Sequence, residues 1–320
     1  MNIIVTAGRA GSSFLASQLN LHPSVACLNE THYLPLLLDA FGDGSAKPAD
    51  FLQIIADTNF HNGSNILESN FPFLGISSAD WTEWQSRLKA NNKALTVAGF
   101  QSLLEQFICE KTGADVVVDK TPCYGAHLEA LEEQLGDIRV IILSRDALPS
   151  IKSMLKHPGF LLKVRKGVNT WTDVIRHHEV KEEDMSTTLR PGEEEAMAKL
   201  WAWRTTEPIR QAKQANIRYR NLFYEDMQKA PKEFFEVVES FFELERSSGW
   251  VSRSAEQVKP SNHPKTALPQ EAHSISNLIS VQSAIRKMFG KRRASDKDSL
   301  GHVLTIPEVI EARSLLGYPR

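Results

Sequence analysis

"NIIVTAGRAGSSFLASQLNLHPSVACLNETH", Asn2 to His32, is the stretch whose reading decides the fold. Asn2 to Thr6 is a short apolar run with β-branched residues, and Ser12 to Leu21 carries Phe14, Leu15, Leu19 and Leu21 at mostly helical intervals. The pattern predicts a strand, a glycine turn and a helix. A second short strand fits Val25 to Leu28, after the turn signal His22-Pro23. Successive backbone N–H groups in such a turn, with the unpaired N–H groups at the start of the helix, make an anion site. Gly8 and Gly11 allow close approach, Ser12 and Ser13 add hydroxyls, and Arg9 adds a permanent charge. The loop suits a phosphate or a sulfate; on this stretch alone, a plain strand-to-helix turn serves equally well.

The alternation continues along the chain. Helical candidates near Ala49 to Asp57 and Asp80 to Lys89 lie within a mixed, turn-rich segment, 41–93, that reads as an insertion or lid. A longer helix fits Ala94 to Lys111, and "DVVVD" at 115–119 is a buried-strand candidate. Tyr124 to Gln134 reads as a helix, Ile138 to Ser144 as the most apolar strand, Asn216 to Tyr224 as another strand and Lys232 to Phe242 as a helix. Met197 to Ala215 and Ile306 to Leu316 complete the helices. Short apolar strands alternating with helices predict an α/β fold, a P-loop-like three-layer domain whose central, mainly parallel sheet is flanked by helices. One domain over 1–320 is expected, with a weakly periodic, charged segment at 165–195 and a polar, basic region at 245–300.

Composition narrows the function classes. The chain of 320 residues is 42% hydrophobic and 24% charged, with a net charge of −2. Near-neutral charge offers no global attraction to nucleic acid or anionic membrane, so any anion site is local. Three separated cysteines, Cys27, Cys109 and Cys123, lack metal-cluster spacing and fit a reducing compartment. No basic leader precedes an apolar stretch and no run has the length to cross a bilayer, so a cytoplasmic location is expected. Oligomeric state leaves no trace in the sequence.

Two common nucleotide motifs are absent. GxxxxGK[ST] fails because Ser12 stands where its lysine would be, which leaves the charge of a triphosphate poorly met. GxGxxG is missing as well. A second cationic feature lies downstream in "VIILSRDALPSIKSMLKH", Val140 to His157. A strand delivers Arg145 at its carboxyl end, and Ser153 follows two turns into the next helix. An Arg145–Asp146 surface pair is the simpler alternative.

Together, "GRAGSSFL" and "SRDALPSIKS" resemble the sulfotransferase family that uses 3'-phosphoadenosine 5'-phosphosulfate. "LHPSVACLNETHYLP", "VVVDKTPCYGAHL", "LFYEDMQKAPKEFF" and "SLLGYP" extend the likeness over almost the whole chain, closest to the branch of tyrosylprotein and carbohydrate sulfotransferases. The resemblance implies transfer of a sulfuryl group to a hydroxyl acceptor, carbohydrate, small molecule or peptide, without a metal. It implies that the loop residues Arg9, Ala10, Gly11, Ser12, Ser13 and Phe14 hold the 5'-phosphosulfate and that Arg145 and Ser153 hold the 3'-phosphate. Tyr224 lies near the nucleotide by the same likeness, with core packing as its alternative. Glu30 matches the general base, and His32 is a rival base or a group that orients Glu30 or touches the acceptor. Lys120 matches a lysine that stabilises charge on the leaving oxygen; a surface lysine paired with Asp119 is its alternative. In the basic cluster Arg286, Lys287, Lys291, Arg292 and Arg293, the stretch from Lys287 to Arg293 resembles a mobile basic loop that closes over the 3'-phosphate side of the donor, or forms a solvated patch. Segments 41–93 and 165–195 are expected to shape the acceptor pocket. The rival readings are an ATP- or GTP-dependent kinase, with Asp119 on Mg²⁺, and a catalytically silent nucleotide-binding protein.

Overall fold

A computed structural model describes residues 1–59, 64–91, 93–177, 180–258 and 300–318. Five strands, β1 (Asn2–Thr6), β2 (Val25–Asn29), β3 (Val116–Lys120), β4 (Arg139–Ser144) and β5 (Arg218–Phe223), form one parallel sheet in the order β2-β3-β1-β4-β5. The chain leaves β1 toward the β2 side, returns through β3, and then adds β4 and β5 beyond β1. This reversal puts the switch in strand order beside β1, where open α/β sheets bind ligands at the carboxyl ends of their strands.

Strand alternation sends neighbouring side chains to opposite layers. Ile3, Val5, Leu28 and Val140 join one apolar cluster, while Ile4, Cys27, Val118 and Ile141 join another. On the first side pack α2 (Tyr33–Phe41), α3 (Pro48–Asp57), α4 (Ser78–Asn91), α5 (Val97–Thr112) and α6 (Leu128–Leu135). On the second lie α1 (Ser12–Leu19), the short helix α11 (Tyr224–Lys229), α12 (Pro231–Phe241) and α13 (Ser248–Glu256). A third cluster gathers α7 (Ala147–Met154), α8 (Pro158–Lys166), α10 (Glu193–Gln214) and α14 (Pro307–Leu315). Between α8 and α10 runs the short helix α9 (Trp171–His177).

The expected α/β sandwich is present, with shifts in detail. Tyr124 to Gln134 divides into a 3-10 turn, Pro122–Ala126, and α6, because Pro122 opens a tight turn and Gly125 lies against Pro208 of α10. Segment 41–93 is closed at its neck by paired backbone bonds between Ala46 and Leu95. Its aromatic residues Phe51, Trp81 and Trp84 pack with Phe100 and Phe107 of α5 in the same cluster as Ile3 and Val5. No described helix is long and apolar enough to cross a membrane. The basic residues from Arg286 to Arg293 lie outside the described residues.

Candidate active site

The turn after β1 uses left-handed backbone at Gly8 (φ 115°), Arg9 (φ 60°) and Gly11 (φ 86°). Two of these positions also leave no space for a side chain. A Cβ on Gly8 would collide with the Phe160 ring of α8, and one on Gly11 would lie 2.9 Å from the Tyr224 ring. Gly11 caps α1 without any side-chain hydrogen bond, so the first-turn N–H groups are not bonded by a capping side chain. Buried Arg204 of α10 clamps the strand end, donating to the carbonyls of Ala7 (2.8 Å), Thr6 (3.4 Å) and Asn169 (2.9 Å). Ala10 and Ser12 are buried, Ser13 is exposed, and Phe14 turns its ring toward Phe235.

Four residues named from sequence meet on the outer side of this loop. Arg9 Nε donates to Ser153 Oγ at 2.9 Å, and Arg145 Nη1 donates to the Arg9 carbonyl at 3.0 Å. The Arg145 guanidinium also lies 4.3 Å from the Tyr224 ring centroid. Its Nε is buried without a hydrogen-bond partner among the described residues. An orphaned guanidinium N–H beside a helix start with no side-chain cap suits an anionic ligand. The alternative Arg145–Asp146 pair does not form; Asp146 takes Arg313 Nε at 3.0 Å and caps α7.

A second group lies beyond β2 and β3. Glu30 (φ 56°) and His32 (φ 58°) flank Thr31 in a turn held by its partners. Glu30 N donates to the Lys120 carbonyl at 2.8 Å, and Thr31 N to Thr121 Oγ1 at 2.9 Å. Beneath them, Asp119 accepts from Thr31 Oγ1 and Thr121 Oγ1, each at 2.6 Å, and from Tyr124 Oη at 3.3 Å. Burial raises the Asp119 carboxyl to about 6, against the pull of these three hydroxyls. With its oxygens taken up by hydroxyls and 1% exposure, Asp119 is an anchor for the turn, and the kinase reading loses the residue on which it rested. Among the described residues, no group of three or more His, Cys, Asp or Glu side chains is arranged to hold a metal.

Lys120 points the other way, as strand alternation requires. Its ammonium is fully buried and reaches Glu30 Oε1 at 2.8 Å, which corrects the alternative pairing with Asp119. The Glu30 side chain is 44% exposed. Desolvation by the surrounding protein would raise its carboxyl, but Lys120, with help from His32 and Lys163, outweighs this and holds it at about 2. His32 is 4% exposed, and burial lowers its ring to about 3. Its Nδ1 lies 3.1 Å from the Sγ of Cys123, which in turn accepts from Thr172 Oγ1 at 3.4 Å. Burial pushes the Cys123 thiol up to about 12. Near neutral pH the pocket therefore holds an ionised Glu30, a neutral His32 and a thiol.

The two groups are joined by α8. The residue that caps it, His157, is lowered to about 4 by burial, with Arg9 adding to the fall and Glu30 opposing it. Lys163, a turn and a half further on, is also buried. Sequence reasoning passed over Lys163 and Arg204, because "LLKVRK" reads as a solvated basic helix end and Arg204 sits inside a long helix. Thr31, Asp119 and Tyr124 carried a faint signal, since an acid inside an apolar strand needs buried hydrogen-bond donors.

The comparisons with known proteins agree with this fold. No curated protein matches the sequence closely enough to be counted a relative. Among solved structures, the chain is similar to a sulfotransferase domain from the curacin biosynthetic pathway, at 15% identity and TM-score 0.59, over 100% of this chain and 98% of that one. It is also similar to a sulfotransferase domain from the olefin synthase of Synechococcus PCC 7002, at 13% identity and TM-score 0.56, over 100% and 95%. At these identities the likeness is one of fold. Residues 3–248, which carry all of the sheet but its first residue and both groups of site residues, match the model of the sulfotransferase family, and the chain belongs to that family.

Proposed function

We propose that the chain transfers a sulfuryl group from 3'-phosphoadenosine 5'-phosphosulfate to a hydroxyl acceptor, with Glu30 as general base. The observation that carries this reading is the Glu30–Lys120 pair, 2.8 Å apart at the carboxyl ends of β2 and β3 beside the glycine loop. It sets a base and a cation together where the acceptor proton and the leaving-group charge would have to be met.

The residues present fit this donor. Arg145 has an unused buried N–H and stacks on Tyr224, Arg9 and Ser153 lie beside it, and the loop N–H groups begin α1 without a side-chain cap. When bound, the donor supplies an activated sulfuryl group on a phosphate leaving group. Arg9, Ser153 and Arg145 hold phosphate charge, and the backbone of Gly8 to Phe14 offers N–H donors. Glu30, ionised and half-exposed, takes the acceptor's proton on its carboxylate. Lys120 restrains that carboxylate as a weak base while the two are paired. Drawn toward negative charge on the leaving oxygen, it relaxes its hold and strengthens the base. His32, buried and neutral, is a positioning group for the turn rather than the base. Segments 41–93 and 165–195 shape the acceptor pocket, and the acceptor is a carbohydrate, a small molecule or a peptide.

Incubation with labelled donor and a panel of hydroxyl-bearing carbohydrates, small molecules and tyrosyl peptides tests the reading. Label transferred to one acceptor class supports it. Tight binding of adenosine 3',5'-bisphosphate without label transfer to any acceptor would replace it with a silent nucleotide-binding protein.

A further inference from the structure

Lys163 has a surrounding that the Glu30 and Arg145 groups do not account for. It is 7% exposed, its Nζ donates to the Gly159 carbonyl one turn back at 3.1 Å, and it lies 4.8 Å from the Phe160 ring and 5.0 Å from the Trp171 ring. Among the described residues no carboxylate pairs with it. Its neighbours on the same helix behave differently: Arg165 pairs with Glu193 and Lys166 with Asp184, both at 2.7 Å. An ammonium withdrawn from water without a carboxylate costs stability, and such groups gather at functional sites. Two of its three N–H donors have no partner among the described residues.

Its place in the fold says what would complete it. Phe160, one turn before Lys163, closes over Gly8, so α8 covers the glycine loop. Arg204, bonded to the Thr6 and Ala7 carbonyls at the start of the loop, lies over the same Phe160 ring with its guanidinium 5.7 Å from the centroid, and Lys163 feels its charge and that of Glu30. Arg204 is spent on backbone carbonyls, and Glu30 is paired with Lys120. Among the described residues Glu30 thus has Lys120 as its partner, and Lys163 is left with the Gly159 carbonyl alone.

We propose that Lys163 is a further donor-binding residue whose ammonium takes an anionic oxygen of the sulfuryl group. The inference rests on the donor reading above and adds to Arg9, Arg145 and Lys120 a fourth cation, placed by α8. The groups facing Lys163 are Arg204 from α10, Glu30 and His32 from the turn after β2, Cys123, and His157 at the start of its own helix. His32 and His157 are held neutral by burial, and Arg204 does not titrate near pH 7. Burial, and then Arg204, lower Lys163 to about 7. Of the groups facing it, Lys163 is the one whose charge changes near pH 7; Asp119, beneath the turn, changes charge about a unit lower.

Calorimetric titration of wild type and Lys163→Met with two ligands decides the matter: the intact donor, and adenosine 3',5'-bisphosphate, which lacks the sulfuryl group. Lys163→Met is expected to bind the bisphosphate as wild type does, which also reports that it is folded, and to bind the donor about ten- to a hundredfold more weakly. Lys163→Arg, which keeps the charge and does not titrate near pH 7, is expected to retain most of the donor affinity and to lose the fall that wild type shows as pH rises through about 7, ligand ionisation being common to both proteins; if Lys163→Met does not fold, this comparison decides. Equal loss for both ligands, or no loss for either, would overturn the proposal. So would unchanged donor affinity with a raised acceptor KM, which would move the lysine to the acceptor. Wild-type protein that binds neither ligand would overturn the donor reading itself, and this inference with it.

Discussion

The Arg9–Arg145 group and the Glu30–Lys120 group stand on opposite flanks of β1 and are built differently. The first is assembled from long side chains around a backbone turn: Arg9 on Ser153, and Arg145 on a carbonyl and the Tyr224 ring. The second rests on a buried network, with Asp119, Thr31, Thr121 and Tyr124 fixing the turn that carries Glu30. Cations along a loop can hold a charged ligand through some change in their positions, because charge attraction falls off gently with distance. Proton transfer requires a base within hydrogen-bond reach, so its support must be rigid. Under the proposed function the difference separates binding from chemistry, and substitutions on the two flanks should have different signatures.

The largest effect is expected at the carboxylate. Glu30→Gln keeps the shape and removes the base, and turnover of labelled donor should fall by about 10²- to 10⁴-fold with bisphosphate affinity unchanged. Loss of affinity in parallel with turnover would erase the division between the flanks.

Asp119 tests the foundation of the second flank. Its carboxyl is raised to about 6 from an unfolded value of 3.8, so its contribution to stability is full below 3.8 and is lost as pH rises through about 6. Relative to Asp119→Asn, which does not titrate, wild type should lose up to about 3 kcal/mol of stability between pH 4 and 7, as read from urea unfolding at each pH. A constant difference across that range would mean that the carboxyl is not buried as described.

On the first flank, Arg145→Ala should weaken bisphosphate binding by about ten- to a hundredfold, the value of one charge-assisted contact. Its kcat at saturating donor should change much less. A collapse of kcat with affinity intact would assign Arg145 to the chemistry.

The smallest effect is expected at His32. With its ring held near 3, it does not set an acid limb close to pH 6.5. His32→Gln should lower turnover by less than about tenfold and leave the pH profile in place. A far larger loss, with an acid limb near 6.5 removed, would make His32 the base.

Much of this was legible in the chain. The strands announce themselves as β-branched apolar runs, and the family resemblance of "GRAGSSFL" and "SRDALPSIKS" is what brought Gly8, Gly11, Arg145 and Ser153 to one loop. Helix α2 was not legible, because Pro35 breaks a run of leucines that carries little polar alternation; in the first turn of a helix, proline is tolerated. Periodicity states which face a residue occupies and leaves its partner open. Asp119 and Lys120 are adjacent in sequence, yet alternation sends one to Thr31 and the other to Glu30, across separations of 88 and 90 residues. Lys163 was hidden for a related reason: its burial depends on Phe160, Trp171 and the loop at Gly8, which only the fold brings together.

The central claim is that the two flanks of β1 hold a sulfuryl donor, and the most direct measurement is a titration of wild-type protein in EDTA with adenosine 3',5'-bisphosphate, beside one with ATP and Mg²⁺. The account predicts that the bisphosphate binds and stabilises the fold in EDTA, that ATP with Mg²⁺ does not, and that Arg145→Ala weakens the first interaction. Stabilisation by ATP with Mg²⁺ and none by the bisphosphate would contradict it.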